Sequence, residues 1–153
     1  QDDRVCSYGN LAAILAAKPS TKTQVALFTD KEEIGSYGNT GVNSSYVTDF
    51  IMDLLELQGD GSHRALRDTL RHAEFLGKVR GIFNENNVPW QIGELGKVDQ
   101  GGGGTIALYL AAWGCEVVDC GVTMLSMHAP LELVEKTDAY CAYLAYKAFF
   151  ESN

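Results

Sequence analysis

Glu32 and Glu33 stand side by side at the end of the apolar run Val25-Ala26-Leu27-Phe28-Thr29-Asp30. The run reads as a buried strand, and in open α/β sheets chemistry collects at the carboxyl ends of strands. Successive residues of an extended chain point in opposite directions. One glutamate can then hold a metal while the other reaches a water or a substrate, the pairing of Lewis acid and general base that a metal-assisted hydrolase needs. Taken alone, the pair is better explained as a solvated loop, because charged side chains are mostly exposed. The rest of the chain has to decide between these readings.

Three further elements could take part. Asp2-Asp3-Arg4 precedes a helical pattern. Its carboxylates are either caps favoured by the helix dipole or, with two oxygens each, a bridge between metals. His128, in Met127-His128-Ala129-Pro130, follows an apolar run. It is either a core histidine satisfied by one hydrogen bond or a ligand for a zinc-like metal. His63 and His72 lie in polar helical sequence and read as solvated. Gly101–Gly104 ahead of Thr105 is either a flexible turn or a row of backbone N–H groups at a helix N-terminus. In the second case Gly102, Gly103, Gly104 and Thr105 would meet an anion or a substrate carbonyl. The quartet lacks the Lys-Ser/Thr pair of a Walker A loop and the acidic ribose reader of a dinucleotide site.

The elements that must position these residues follow from periodicity. Val5, Tyr8, Leu11, Ala12 and Leu15 repeat at helical spacing ahead of Pro19. A strand is predicted over Gln24–Thr29, then a glycine-marked loop, then a helix carrying Val47, Phe50, Ile51, Leu54 and Leu55. A polar helical stretch runs from His63 to about Asn84, and Asn86-Asn87-Val88-Pro89 is a turn. Strands are predicted at Trp90–Leu95 and Cys115–Val122, a helix at Thr105–Trp113, and a last helix with Tyr140, Tyr143, Leu144, Lys147 and Phe150 on one face. Such alternation predicts an α/β fold with a parallel or mixed sheet covered by helices on both faces.

Composition sets the outer limits. The 153 residues, 46% hydrophobic, have room for about one domain. No apolar stretch approaches the roughly 20 residues of a membrane span. No signal peptide is visible, and Gln1 stands where an initiator Met would, so the true start is expected to lie elsewhere or to have been removed. The net charge of -8 argues against a nucleic-acid backbone as partner and suits metals and substrates with a free amino group. Cys6, Cys115, Cys120 and Cys141 form no C-x-x-C pair and read as core thiols of a reducing, cytoplasmic compartment.

Together these segments resemble the M18 family of metalloaminopeptidases, the aspartyl aminopeptidase group. The matching stretches are Asp2–Cys6, Phe28–Ser36, Gly81–Trp90, Gly101–Ala107, Val118–Pro130 and the Ala142–Phe150 tail. The resemblance implies a three-layer αβα sandwich with a mostly parallel sheet. It implies a two-zinc exopeptidase acting on peptides with a free N-terminus, with cobalt or manganese as other suitable metals. It matches Asp2 to the bridging aspartate, Glu32 to the general base, and Glu33 and His128 to ligands of one metal. The family also forms large homo-oligomers.

The departures are specific. The family's inserted second domain is not in this sequence, nor is an upstream segment that carries another histidine ligand. Leu66-Arg67-Asp68-Thr69-Leu70-Arg71-His72 runs directly into Ala73-Glu74-Phe75-Leu76-Gly77-Lys78. The family places a strand with a second aspartate ligand between two such segments, so a block is expected to be missing near His72–Ala73. The expectation is a single partial catalytic domain that binds one metal, with impaired activity and doubtful assembly. Two other readings stand beside it: a shortened, non-catalytic relative serving as a binding or assembly subunit, and a related di-metal peptidase or deacylase. Lys97 is the one obvious basic candidate for selecting an acidic substrate residue, and it reads as solvated.

Overall fold

The structure, a computed structural model, describes residues 1, 3–65, 75–93 and 105–152. In chain order its elements are helix α1 (Arg4–Ala16), a 3-10 turn (Glu32–Ile34), α2 (Tyr46–Leu57), α3 (Phe75–Glu85), α4 (Ile106–Ala112), strands β1 (Met124–Leu125) and β2 (Leu133–Val134), and α5 (Lys136–Glu151). They belong to two compact units. One comprises Gln1–Phe28, Leu76–Ile92 and Cys120–Asn153; the other comprises Thr29–Phe75 and Gly93–Asp119.

In the first unit α1 packs along α5. The expected helix is present, but a different face is buried. Gly9 and Ala13, four residues apart and therefore stacked on one side of the helix, are the buried pair. Tyr8 and Leu15, from the predicted stripe, are 74% and 77% exposed. Small residues win this contact because they let the helices approach closely: a Cβ added at Gly9 would lie 3.4 Å from Cε2 of Tyr146. From α5 the buried residues are Ala145, Ala148 and Phe150. Glu135 caps that helix by accepting hydrogen bonds from the backbone N–H groups of Thr137 and Asp138. The Thr137 side chain, and then these backbone N–H groups, hold its carboxyl below the usual carboxylate range.

Helix α3 buries Val79, Ile82 and Phe83. Its end is set by Asn87, which takes a left-handed φ of 55°. The N–H of Asn87 then reaches the Asn84 carbonyl and that of Val88 reaches the Phe83 carbonyl, a Schellman stop sealed by buried Val88 and followed by Pro89. The predicted turn at 86–89 is present.

The strands are where expectation and structure part. Residues 24–29 and 115–122 form no strand, nor do the described residues of 90–95. Val25 and Phe28 are 44% and 49% exposed. A strand is made by its neighbour's backbone groups, and an apolar run without a ladder partner stays irregular. Among the described residues the one sheet is the antiparallel ribbon β1–β2, with Met124 opposite Val134 and Leu125 opposite Leu133. None of the described helices is long and apolar enough to cross a membrane. The suspected joint at His72–Ala73 lies outside the described residues.

In the second unit, α2 buries Val47. The loop before α2 buries Ser36 and Val42, at 1% and 0% exposure. This loop carries the paired glutamates.

Candidate active-site turn and metal ligands

Glu32 and Glu33 open a single 3-10 turn instead of ending a strand. Lys31, at φ 67°, turns the chain into it, and Gly35, at φ 95°, turns it out. The Gly35 N–H closes the turn on the Glu32 carbonyl at 3.0 Å, and the Ser36 N–H reaches the Lys31 carbonyl at 2.7 Å. At three residues per turn, neighbouring side chains diverge by about 120° instead of pointing to opposite faces. Glu32 is half-buried and Glu33 exposed.

The surrounding loop fixes this turn. The Asp30 N–H bonds the Thr40 carbonyl at 3.1 Å, and the Thr40 hydroxyl bonds Oδ2 of Asp30 at 3.2 Å. The Asn43 N–H bonds the buried Ser36 carbonyl at 3.2 Å. Gly41 passes directly over that carbonyl, so closely that a Cβ there would lie 2.1 Å from its oxygen. From α4 the Tyr109 hydroxyl donates to the Gly35 carbonyl at 2.9 Å. Sequence reasoning missed Tyr109 and Ser36; only the run of glycines at 35, 38 and 41 signalled a close approach.

His128 sits in the first unit, on the exposed turn joining β1 to β2, and itself adopts a left-handed φ of 68°. Ser126 is left-handed too, and its carbonyl accepts the Ala129 N–H at 3.0 Å. The His128 backbone N–H donates to Oε1 of Glu132 at 2.7 Å. The other oxygen of Glu132 pairs with the N-terminal ammonium of Gln1. Glu132 was not singled out from sequence; its place four residues after His128 in a tight hairpin was the available signal.

Asp2 and Gly101–Gly104 lie outside the described residues, as do Asp68, His72 and Lys97. Thr105 is exposed at the start of α4, and its hydroxyl donates to both carboxylate oxygens of Asp119, at 3.2 and 3.0 Å. His63 is exposed, as predicted. Glu33 and His128 are donors of the right types for zinc. Among the described residues, however, no three His, Cys, Asp or Glu side chains gather into a group able to hold a metal. Without Asp2 those residues do not by themselves fit the ion.

A family model described as "Aminopeptidase I zinc metalloprotease (M18)" matches residues 1–76 and 69–150. The chain belongs to the M18 family. Among its relatives, the "Probable M18 family aminopeptidase 1" of Clostridium acetobutylicum is 35% identical over 202 residues, covering 99% of this chain and 43% of that protein. That of Thermotoga maritima is 34% identical, covering 99% and 45%. The crystal structure of the Thermotoga maritima M18 aminopeptidase superposes with a TM-score of 0.86 at 33% identity, over 97% of this chain and 44% of that one. Aminopeptidase I of Clostridium acetobutylicum gives 0.85 at 31% identity, over 99% and 43%. The M18 chain thus spans less than half the length of these relatives, and its likeness to them extends to an α/β peptidase fold.

Proposed function

We propose that this chain is part of the catalytic domain of a metal-dependent aminopeptidase, with Glu32 taking the proton of the attacking water. Asp2, Glu33 and His128 are the residues assigned to zinc; bound there, the ion would supply the Lewis acid. The observation that carries the proposal is the match of the M18 family model to residues 1–76 and 69–150; the Glu132 carboxylate, which accepts the His128 N–H, supports the His128 assignment. Backbone strain supports it. Asp3, Lys31 and His128 are left-handed non-glycine residues at or beside the assigned positions. Such conformations cost about 1–3 kcal/mol each and persist where function uses them.

The proposal includes the family's three-layer sandwich. In a protein of family length, runs 24–29 and 115–122 are the pieces that would pair as parallel strands. It also includes a block absent near His72–Ala73. The Clostridium acetobutylicum alignment runs over 202 residues against the 153 of this chain, and the family model matches in two stretches that overlap at 69–76. The family's second aspartate ligand belongs to that block, so one metal site per chain is expected, with slow removal of N-terminal residues.

Zinc titration by calorimetry tests this. The expected result is at most one site per chain, weakened at least tenfold in both His128→Ala and Glu132→Ala. Two tight sites per chain, or zinc binding indifferent to His128, would overturn the assignment. Hydrolysis of leucine or aspartate anilides at the rate of a family-length enzyme would overturn the expected slowness.

A further inference from the structure

All four cysteines are present as thiols, and they differ in setting. Burial pushes the Cys115 thiol up, which makes it a poor nucleophile. Cys141, five residues before Tyr146 on α5, projects about 140° away from it around the helix. Cys6 and Cys120 are brought together by Tyr146. Its hydroxyl donates to the Cys120 carbonyl at 3.2 Å, and the Cys6 thiol lies close enough to the same phenol to perturb it. Cys6 also lies against the next residue: a Cβ added at Gly121 would stand 3.9 Å from its Sγ. The phenol and the Cys6 thiol therefore both reach the Cys120–Gly121 peptide. Burial, and then the two thiols, push the Tyr146 phenol well above its ordinary range. It stays a neutral phenol that donates to the Cys120 carbonyl.

We propose that Cys6 and Cys120 are a redox pair, closed to a disulfide by exchange with a low-molecular-weight disulfide of the glutathione class. Cys120 is exposed and lies in an irregular stretch between α4 and β1, so it is the thiol that reacts first with a disulfide in solution. Its thiolate attacks one sulfur of oxidised glutathione, forming a mixed disulfide and expelling one glutathione thiolate. The Cys6 thiolate then attacks the Cys120 sulfur, forms the Cys6–Cys120 bond and expels the second glutathione thiolate. Two protons leave the protein thiols, and two electrons pass to the glutathione disulfide. No helix or strand has to break for Cys120 to come within bonding reach, because residues 115–123 belong to neither. The closed bond ties α1 to the segment that leads into the His128 hairpin. The inference does not depend on the aminopeptidase reading.

The test is incubation of the full chain with oxidised glutathione, an acid quench, digestion without reductant, and mass mapping of the cysteine peptides. The expected main product is a linked Cys6–Cys120 pair lacking two hydrogens, reversed by dithiothreitol. Cys6→Ser should instead hold a persistent glutathione adduct on Cys120. A wild-type chain that keeps the adduct on Cys120 without forming the link would overturn the proposal. So would linkage chiefly through Cys115 or Cys141. The wild-type map decides the matter even where the variant does not fold.

Discussion

Gly41→Ala should unlock the turn that presents Glu32 and Glu33. The added Cβ would lie 2.1 Å from the Ser36 carbonyl oxygen and 2.6 Å from its carbon, against an optimum of roughly 3.5 Å for such contacts. Both atoms are backbone, so no side chain can swing aside, and relief requires the two strands of the loop to part by about 1 Å. The hydrogen bond from the Asn43 N–H to the Ser36 carbonyl is already 3.2 Å long and would be lost. Ser36 is 1% exposed, so that carbonyl would have no water to replace its partner. An orphaned buried group costs about 1–3 kcal/mol, and residual overpacking adds about 1–3 kcal/mol. A loss of about 3 kcal/mol corresponds to roughly 6–12 °C in Tm for a chain of this size. Urea unfolding measures the stability, and native-state hydrogen exchange at the Asn43 amide locates the change. Gly77→Ala is the matched control: it sits in α3 with nothing within 4 Å of the added Cβ, and should stabilise by about 0.5–1 kcal/mol through helix propensity. If Gly41→Ala unfolds within about 0.5 kcal/mol of wild type and the Asn43 amide exchanges at its old rate, the account of this loop is wrong.

Ala13→Leu places three more heavy atoms into a fully buried position of α1; it should cost about 1–3 kcal/mol by chemical denaturation, where the same change at exposed Ala16 should cost little. Glu135→Ala should lower Tm at neutral pH. The folded carboxyl is held below its ordinary value of 4.5, so its contribution is complete above that value and is lost as pH falls through the lower folded value. The gap between wild type and variant should therefore close in acid, and a gap that widens there would contradict the cap.

The helices were legible in the sequence because their signals are local. Pro19 beyond α1 and Asn87-Val88-Pro89 after α3 mark ends that the backbone obeys. The buried side of α1 was not legible. A periodic stripe of Tyr8, Leu11 and Leu15 ranks residues by apolar size, whereas close helix contact selects Gly9 and Ala13 by how little they fill. The runs at 24–29 and 115–122 carry strand composition, but a strand's hydrogen-bond partners are remote in sequence, and composition cannot supply them. The proposed site rests on the residue types of Asp2, Glu32, Glu33 and His128, which a sequence displays. The turn geometry of Glu32–Glu33 was not legible, because it depends on Lys31 accepting a left-handed conformation that its side chain does not advertise. Glu132 escaped notice for a similar reason: its role is to hold backbone nitrogens, and those have no letter in a sequence.

The pairing of α1 with α5 also sets a timetable for synthesis. The two helices are about 120 residues apart in the chain, which at ribosomal speeds of about 5–20 residues per second is roughly 6–24 s of elongation. Through that interval α1 is made but has no α5 to cover Gly9 and Ala13. The loop from Asp30 to Ser44, whose internal hydrogen bonds span at most ten residues, can close soon after it emerges, with the Tyr109 bond to Gly35 added later. The glutamate turn should therefore form early and the α1–α5 contact late. A nascent chain stalled before residue 136 should then show a protease-sensitive α1 beside an already protected turn.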